Sequence, residues 1–241
     1  MPKFGLTWVP QEARQHIVKS LAPDFLFVSA DEFLTSNIKH RCEKRNIEIY
    51  VSVLAPVSIL KQSKQELSKK AIEEELNNTL KIIEKVILDG ADKVVIVEDL
   101  GGEDPLRLNP MFVVEELLPL YQILVNRIKS LGLDAIFKSS GDIHEFYPGL
   151  SNTGFYGVHI AHESEETTYD LFLKALEEGL IPFGGIISDK LSEEEDTDHA
   201  CSFLDKLMKL ERGDELYLCD DGLLLDESET LRAIEIIKKV K

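Results

Sequence analysis

Short apolar runs alternate with longer amphipathic stretches along the whole chain. The runs are KFGLTW from Lys3, DFLFVS from Asp24, IEIYVSVL from Ile47 and KVVIVED from Lys93. They continue with DAIFKSS from Asp134, FYGVHIA from Phe155, IPFGGIIS from Ile181 and ELYLCDD from Glu215. Their apolar residues are continuous rather than alternating, as expected of strands covered on both faces. They predict eight β-strands.

The stretches between them carry helical spacing. Ile72, Leu76, Leu80, Ile83 and Ile87 form one apolar stripe, and Gly90 is placed to end that helix. Asn109 and Pro110 have the chemistry of an N-cap and a first helical residue. The helix they open carries Leu117, Leu124 and Ile128 and ends at Gly132, with Pro119 expected to kink it. GDIHEFYPGL reads as the weakest helix, cut short by Pro148. SEEEDTD, from Ser192, places acids at the positive end of another helix. The last helix starts near Asp226 and carries Leu231, Ile234 and Ile237.

Strand and helix in strict alternation predict an α/β protein, a single (β/α)8 TIM barrel spanning residues 1–241. A doubly wound open sheet is the alternative topology; the strand count and the final helix favour the barrel.

Composition narrows the function. The 241 residues carry a formal charge of -17, which argues against a nucleic-acid or anionic-membrane surface. No apolar signal core opens the chain and no run reaches transmembrane length, so the expectation is a soluble, cytoplasmic protein. Cys42, Cys201 and Cys219 are widely spaced, which disfavours a disulfide framework.

In a barrel of this kind the chemistry sits at the C-terminal ends of the strands. Those ends carry Thr7 and Trp8, Ser29 and Asp31, Ser52, Glu98 and Asp99, and Lys138 with Ser139 and Ser140. His159 and His162, Ser188 and Asp189, and Cys219 with Asp220 and Asp221 complete the rim. Of these, Lys138, Glu98, Asp99, His159 and Asp221 are the candidate catalytic groups. Trp8, Ser140, His162, Asp189 and Cys219 are the candidate substrate contacts. Polar residues are also common wherever a strand leaves a core, so the set carries more weight than any member.

Three features need separate weighing. Only one of the neighbours Glu98 and Asp99 can face the barrel axis. His159 and His162 have an HxxH spacing, but one lies in a strand and the other in a loop, so joint metal ligation is not assured. Cys219 reads first as a small buried filler. No GxGxxG or P-loop pattern occurs.

The segment from EDLGG through LRLNPMFVVEELLPLYQILVNRIKSLGLDAIFKSSGD resembles the central part of the uroporphyrinogen decarboxylase superfamily. That superfamily includes cobalamin- and coenzyme M-dependent methyltransferases and cobalamin-independent methionine synthases. The similarity rests on Glu98–Gly101, Asn109, Pro110, Phe112, Leu118, Pro119, Tyr121 and Gly141, and on CDDGLLLDESETLRAIE at the eighth strand and last helix. It is weak before Asp92. It implies the same (β/α)8 barrel.

The departures matter as much. The zinc-dependent methyltransferases of that superfamily carry His-x-Cys-Gly where this chain has Lys138, Ser139, Ser140 and Gly141. Their third ligand, a cysteine, falls at Asp221. The resemblance therefore implies one-carbon transfer without that zinc site, with a corrinoid or folate-type pterin as carrier. A corrinoid protein and a homodimer are the implied partners. The alternatives are a decarboxylase-type enzyme using Lys138 and an acid for proton transfer, or a non-catalytic ligand-binding barrel. Lys138 either holds an anionic substrate group or pairs with a neighbouring acid in place of the metal.

Overall fold

β1 (Lys3–Leu6), β2 (Phe25–Ser29), β3 (Glu48–Leu54) and β4 (Lys93–Val97) pair in parallel, each with the next. β5 (Ala135–Lys138), β6 (Gly157–Ile160), β7 (Ile181–Ile186) and β8 (Tyr217–Asp220) continue the series, and β8 returns to β1. The result is a closed eight-stranded parallel barrel with helices outside, the (β/α)8 fold expected from the strand pattern. In this computed structural model, residues 1–7, 23–64, 67–98, 100, 109–139, 142–162, 164–191, 196–222 and 227–241 are described.

The helices are α1 (Ala30–Thr35), α2 (Ile38–Glu43), α3 (Pro56–Gln62), α4 (Lys69–Leu88) and α5 (Leu118–Ser130). They continue with α6 (Tyr147–Thr153), α7 (Glu165–Glu177), α8 (Asp196–Met208) and α9 (Glu227–Val240). Ser68 caps α4 by accepting from the Ala71 amide, and Gly90 takes φ +92° just beyond its end. The stripe predicted for α4 does face the core. Among the described residues, no helix is long and apolar enough to cross a membrane.

Three helices depart from their sequence pattern. Pro119 sits in the first turn of α5, and the five residues before it, Val113–Leu117, form a wider π-turn. The chain thus absorbs the missing proline amide by loosening a turn rather than by ending the helix. Pro148 does not cut a helix short: it stands at the start of α6, where its amide would be unpaired anyway. Leu231 in α9 is exposed, while Thr230, Ala233, Ile234 and Ile237 face inward, so the stripe is rotated from the expected phase.

Two apolar layers result. Val94, Ile96, Phe137, Val158 and Leu218 point outward and pack beneath the helices. Phe25, Phe27, Tyr50, Val95, Ile136, Phe183, Tyr217 and Cys219 fill the barrel interior. There the Phe183 and Tyr217 rings stack at 4.3 Å, and Phe25 lies nearly flat on Tyr50 at 5.0 Å. Full burial of each such side chain stabilises the fold by roughly 1.5–3 kcal/mol. This aromatic packing fills the barrel beneath the C-terminal ends of the strands.

Candidate functional site

Side chains alternate across a strand, so the inward phase of the interior layer continues upward to the mouth. On β5 that phase is Ile136 then Lys138; on β6 it delivers His159; on β8, Tyr217 then Cys219. Lys138 and His159 are direct neighbours in the β5–β6 register. The Lys138 amine extends 5.9 Å from the centre of the Phe27 ring, which belongs to β2, and reaches the turn after β8. It thus lies across the mouth rather than along the wall.

Gly222 makes that position available. It adopts φ +84°, and a Cβ placed on it would overlap the lysine Nζ and press on Thr7 Oγ1. Glycine suits the positive φ, and its missing Cβ leaves room for the end of the lysine.

Two carboxylates flank the amine. Asp220 accepts from the Thr7 amide at 2.6 Å, from the Thr7 hydroxyl and from the Gly222 amide at 2.9 Å. These bonds clasp the ends of β8 and β1 together. Asp221 accepts from the Ser188 amide at 2.8 Å and from its hydroxyl at 2.5 Å, fixing the end of β7. Burial pushes the Asp220 carboxyl up, against the pull of the Thr7 bonds and of Lys138. Burial likewise lowers the Lys138 amine, opposed by Asp220, Cys219 and Asp221. The Cys219 thiol is pushed well above its ordinary range by burial, so it rests as a neutral thiol.

His159 is 1% exposed. Its Nε2 lies 3.0 Å from the backbone carbonyl of Asp220. A carbonyl only accepts, so Nε2 carries the proton and Nδ1 carries the lone pair. Burial, and then the charge of Lys138, hold the ring well below its ordinary pKa, and it is neutral. Among the described residues Nδ1 has no hydrogen-bond partner.

The other candidates lie apart from this cluster. Glu98 is in phase with the outward Val94 and Ile96, not with Lys138. It is fully buried between β4 and the helices, taking a 2.5 Å bond from Ser58 and a 3.2 Å bond from Tyr121. Burial pushes its carboxyl up to about 7. The expectation of Glu98 as a group at the mouth is therefore corrected: its carboxyl faces the helices. His162 does not join His159. Its Nδ1 accepts from the Ser164 amide at 3.1 Å within its own loop. Trp8, Asp99 and Ser140 lie outside the described residues, as does the side chain of Asp189, whose backbone belongs to the 3₁₀ turn Ser188–Leu191.

Asp220, Ser188, Thr7 and Phe27 complete the cluster without having been chosen as site residues from sequence. Asp220 adjoins Asp221, which was the available signal. Its bonding to Thr7 joins residues from the two ends of the chain and has no local signature. Among the described residues, no three His, Cys, Asp or Glu side chains are grouped to hold a metal ion.

No protein-family model matches the chain, and no curated protein matches it in sequence. Solved structures do share its architecture. An orotidine 5'-monophosphate decarboxylase from Methanocaldococcus jannaschii matches with TM-score 0.55 and 14% identity over 99% of this chain and 98% of its own. KGPDC from Streptococcus mutans matches with TM-score 0.54 and 11% identity, covering 100% and 99%. A putative dihydrodipicolinate synthetase from Pseudomonas aeruginosa gives TM-score 0.54 and 12% identity, covering 99% and 77%. At these identities the likeness is one of fold, and the chain is a (β/α)8 barrel of the TIM type.

Proposed function

We propose that the chain is a lyase-type enzyme that removes or exchanges a carboxyl group on a small oxygenated substrate, with the Lys138 nitrogen at the reacting carbon. The observation that carries this reading is the lysine laid across the mouth, over an apolar floor and between Asp220 and Asp221. When a carboxylate leaves as carbon dioxide, its bonding electrons stay on the substrate carbon. A fixed positive nitrogen beside that carbon stabilises the developing charge, and a low-dielectric floor strengthens the effect. A proton then takes the place of carbon dioxide. Asp220 and Asp221 hold the rim in register, and neutral His159 braces the Asp220 carbonyl from β6.

The test is release of carbon dioxide from a panel of small oxo and hydroxy carboxylic acids, with wild type and Lys138→Met in parallel. Turnover that disappears with the lysine supports the reading. Equal rates in both proteins, or no turnover and no binding of any acid by wild type, refute it.

A second reading, methyl transfer on a corrinoid or folate-type pterin, draws its support from the superfamily resemblance. Its specific observation is the turn after β8, where Asp221 precedes Gly222 at positive φ, at the position the resemblance aligns with a ligand cysteine and its glycine. Absorbance titration with cobalamin and with a folate separates the two: tight binding of either, with no decarboxylation, favours methyl transfer.

A further inference from the structure

An ammonium group needs acceptors for three N–H bonds, and a half-buried one without them is costly. Lys138 is in that position. The donors that hold Asp220 are Thr7 and Gly222, and Ser188 donates to Asp221. Among the described residues the amine makes no hydrogen bond; its neighbours are the Phe27 face, the bare Gly222 and the neutral ring of His159, with Asp220 and Asp221 on either side engaged by those other donors. Burial at this position disfavours the ammonium, and the amine, once it has given up its proton, carries a nitrogen lone pair beside Phe27 and Gly222. Such an amine is a nucleophile toward carbonyl carbon.

We propose that Lys138 forms an imine with the ketone carbon of a 3-oxo acid, so that the cationic nitrogen of the reaction is an iminium bonded to the substrate. The proposal rests on the placement of Lys138 at the reacting carbon and changes how its charge is delivered. The neutral amine adds to the ketone, forming the C–N bond. Loss of the former ketone oxygen as water, with one proton taken up, gives the iminium. The bond to the carboxylate then breaks, carbon dioxide departs, and its electron pair forms the carbon–carbon double bond of an enamine as nitrogen becomes neutral. A proton adds to the carbon that lost carbon dioxide and restores the iminium. Water hydrolyses it to a ketone and free Lys138. The sum is 3-oxo acid plus a proton giving ketone plus carbon dioxide. The ketone must lie two carbons from the carboxyl carbon, because only there do the released electrons reach nitrogen. Gly222 is a positioning residue, since it leaves the space that the nitrogen occupies.

The full-length chain is incubated with acetoacetate, 3-oxoglutarate or oxaloacetate, and borohydride is added to reduce any imine. Intact mass and peptide mapping then locate the adduct, while carbon dioxide release is followed separately. The expected result is one reduced adduct per chain, on Lys138, absent in Lys138→Met and Lys138→Arg. Gly222→Ala, with its fold checked by circular dichroism, should form the adduct at least about tenfold more slowly, as a displaced reacting group does. Arginine keeps the charge but forms no such imine. Carbon dioxide release that survives Lys138→Arg, with no adduct in wild type, overturns the imine and leaves the electrostatic form of the decarboxylase reading standing. Adducts spread equally over surface lysines, or none from any of the three acids, also overturn it. Absence of both turnover and binding overturns the broader reading as well.

Discussion

His159 reaches past the seventh strand to the eighth, where its Nε2 donates to the Asp220 carbonyl at 3.0 Å. The bond fixes one neutral tautomer in the centre of the candidate site. His159→Leu removes this bond, leaving the Asp220 carbonyl with the 3.3 Å bond from the Thr7 hydroxyl, and should lower stability by about 1 kcal/mol. His159→Gln, which supplies both an N–H and an acceptor, should recover much of that loss. Urea denaturation of the two variants at neutral pH provides the comparison.

The same ring should make the protein sensitive to acid. Its folded pKa lies well below the ordinary 6.5, so below about pH 6.5 the unfolded chain binds a proton that the folded chain does not. Stability should therefore fall as the pH drops through that window. In His159→Gln the fall should be shallower between pH 7 and 5. An unchanged slope would contradict the buried neutral ring.

Glu98 should act in the opposite direction. Burial raises its carboxyl from an ordinary 4.5 to about 7, so between those values the folded chain holds a proton that the unfolded chain has lost. Its contribution therefore declines as pH rises from 4.5 to 7, by about 3 kcal/mol in all. Glu98→Gln keeps the shape and removes the titration. At pH 8 it should be more stable than wild type, while at pH 4.5 the two should be similar. Chemical denaturation at both pH values measures the difference.

Lys138→Met should cost activity without costing stability. If turnover on a small carboxylic acid is found, loss of the cation should remove about 2–5 kcal/mol of binding or transition-state stabilisation, the range for truncating one partner of a buried charged contact. Because Asp220 and Asp221 keep their bonds from Thr7, Gly222 and Ser188, replacing the amine over Phe27 by an apolar chain of similar length should change the melting temperature little. A lower melting temperature with full activity would show instead that the lysine only braces the rim.

Gly222→Ala should be destabilising through two separate contacts, the positive φ and the overlap with Nζ. The backbone part should cost about 1–2 kcal/mol. The overlap should vanish if the lysine is shortened. Lys138→Ala combined with Gly222→Ala should therefore be less destabilised than the sum of the single changes. A double-mutant cycle by thermal or urea unfolding measures that coupling. Strict additivity would mean that the amine does not occupy the space above Gly222.

The barrel was legible because β5 through β8 read as uninterrupted apolar runs separated by helical stripes. That same property hid the orientation of Glu98. Val94 and Ile96 face the helices, whereas Val95 and Val97 face the axis; both sets are apolar, so no alternation marked Glu98 as facing outward. Lys138 was legible as the polar end of such a run. The bonds that define its setting, Thr7 to Asp220 and His159 to Asp220, join distant parts of the chain and exist only once the barrel closes. His162 shared a spacing with His159, but a strand end and a loop carry the chain in different directions.

The aromatic floor sets the traffic at the lysine end of the barrel. Phe25, Tyr50, Phe183 and Tyr217 fill the axis below Lys138, and Tyr217 also touches the ring and hydroxyl of Tyr156 toward the opposite end. The axis is plugged rather than hollow. Whatever enters at the lysine must leave by the same door, so a spent molecule has to clear the rim before the next can be seated. Slow steps of turnover would then be sought at the lysine end of the barrel rather than in passage through it.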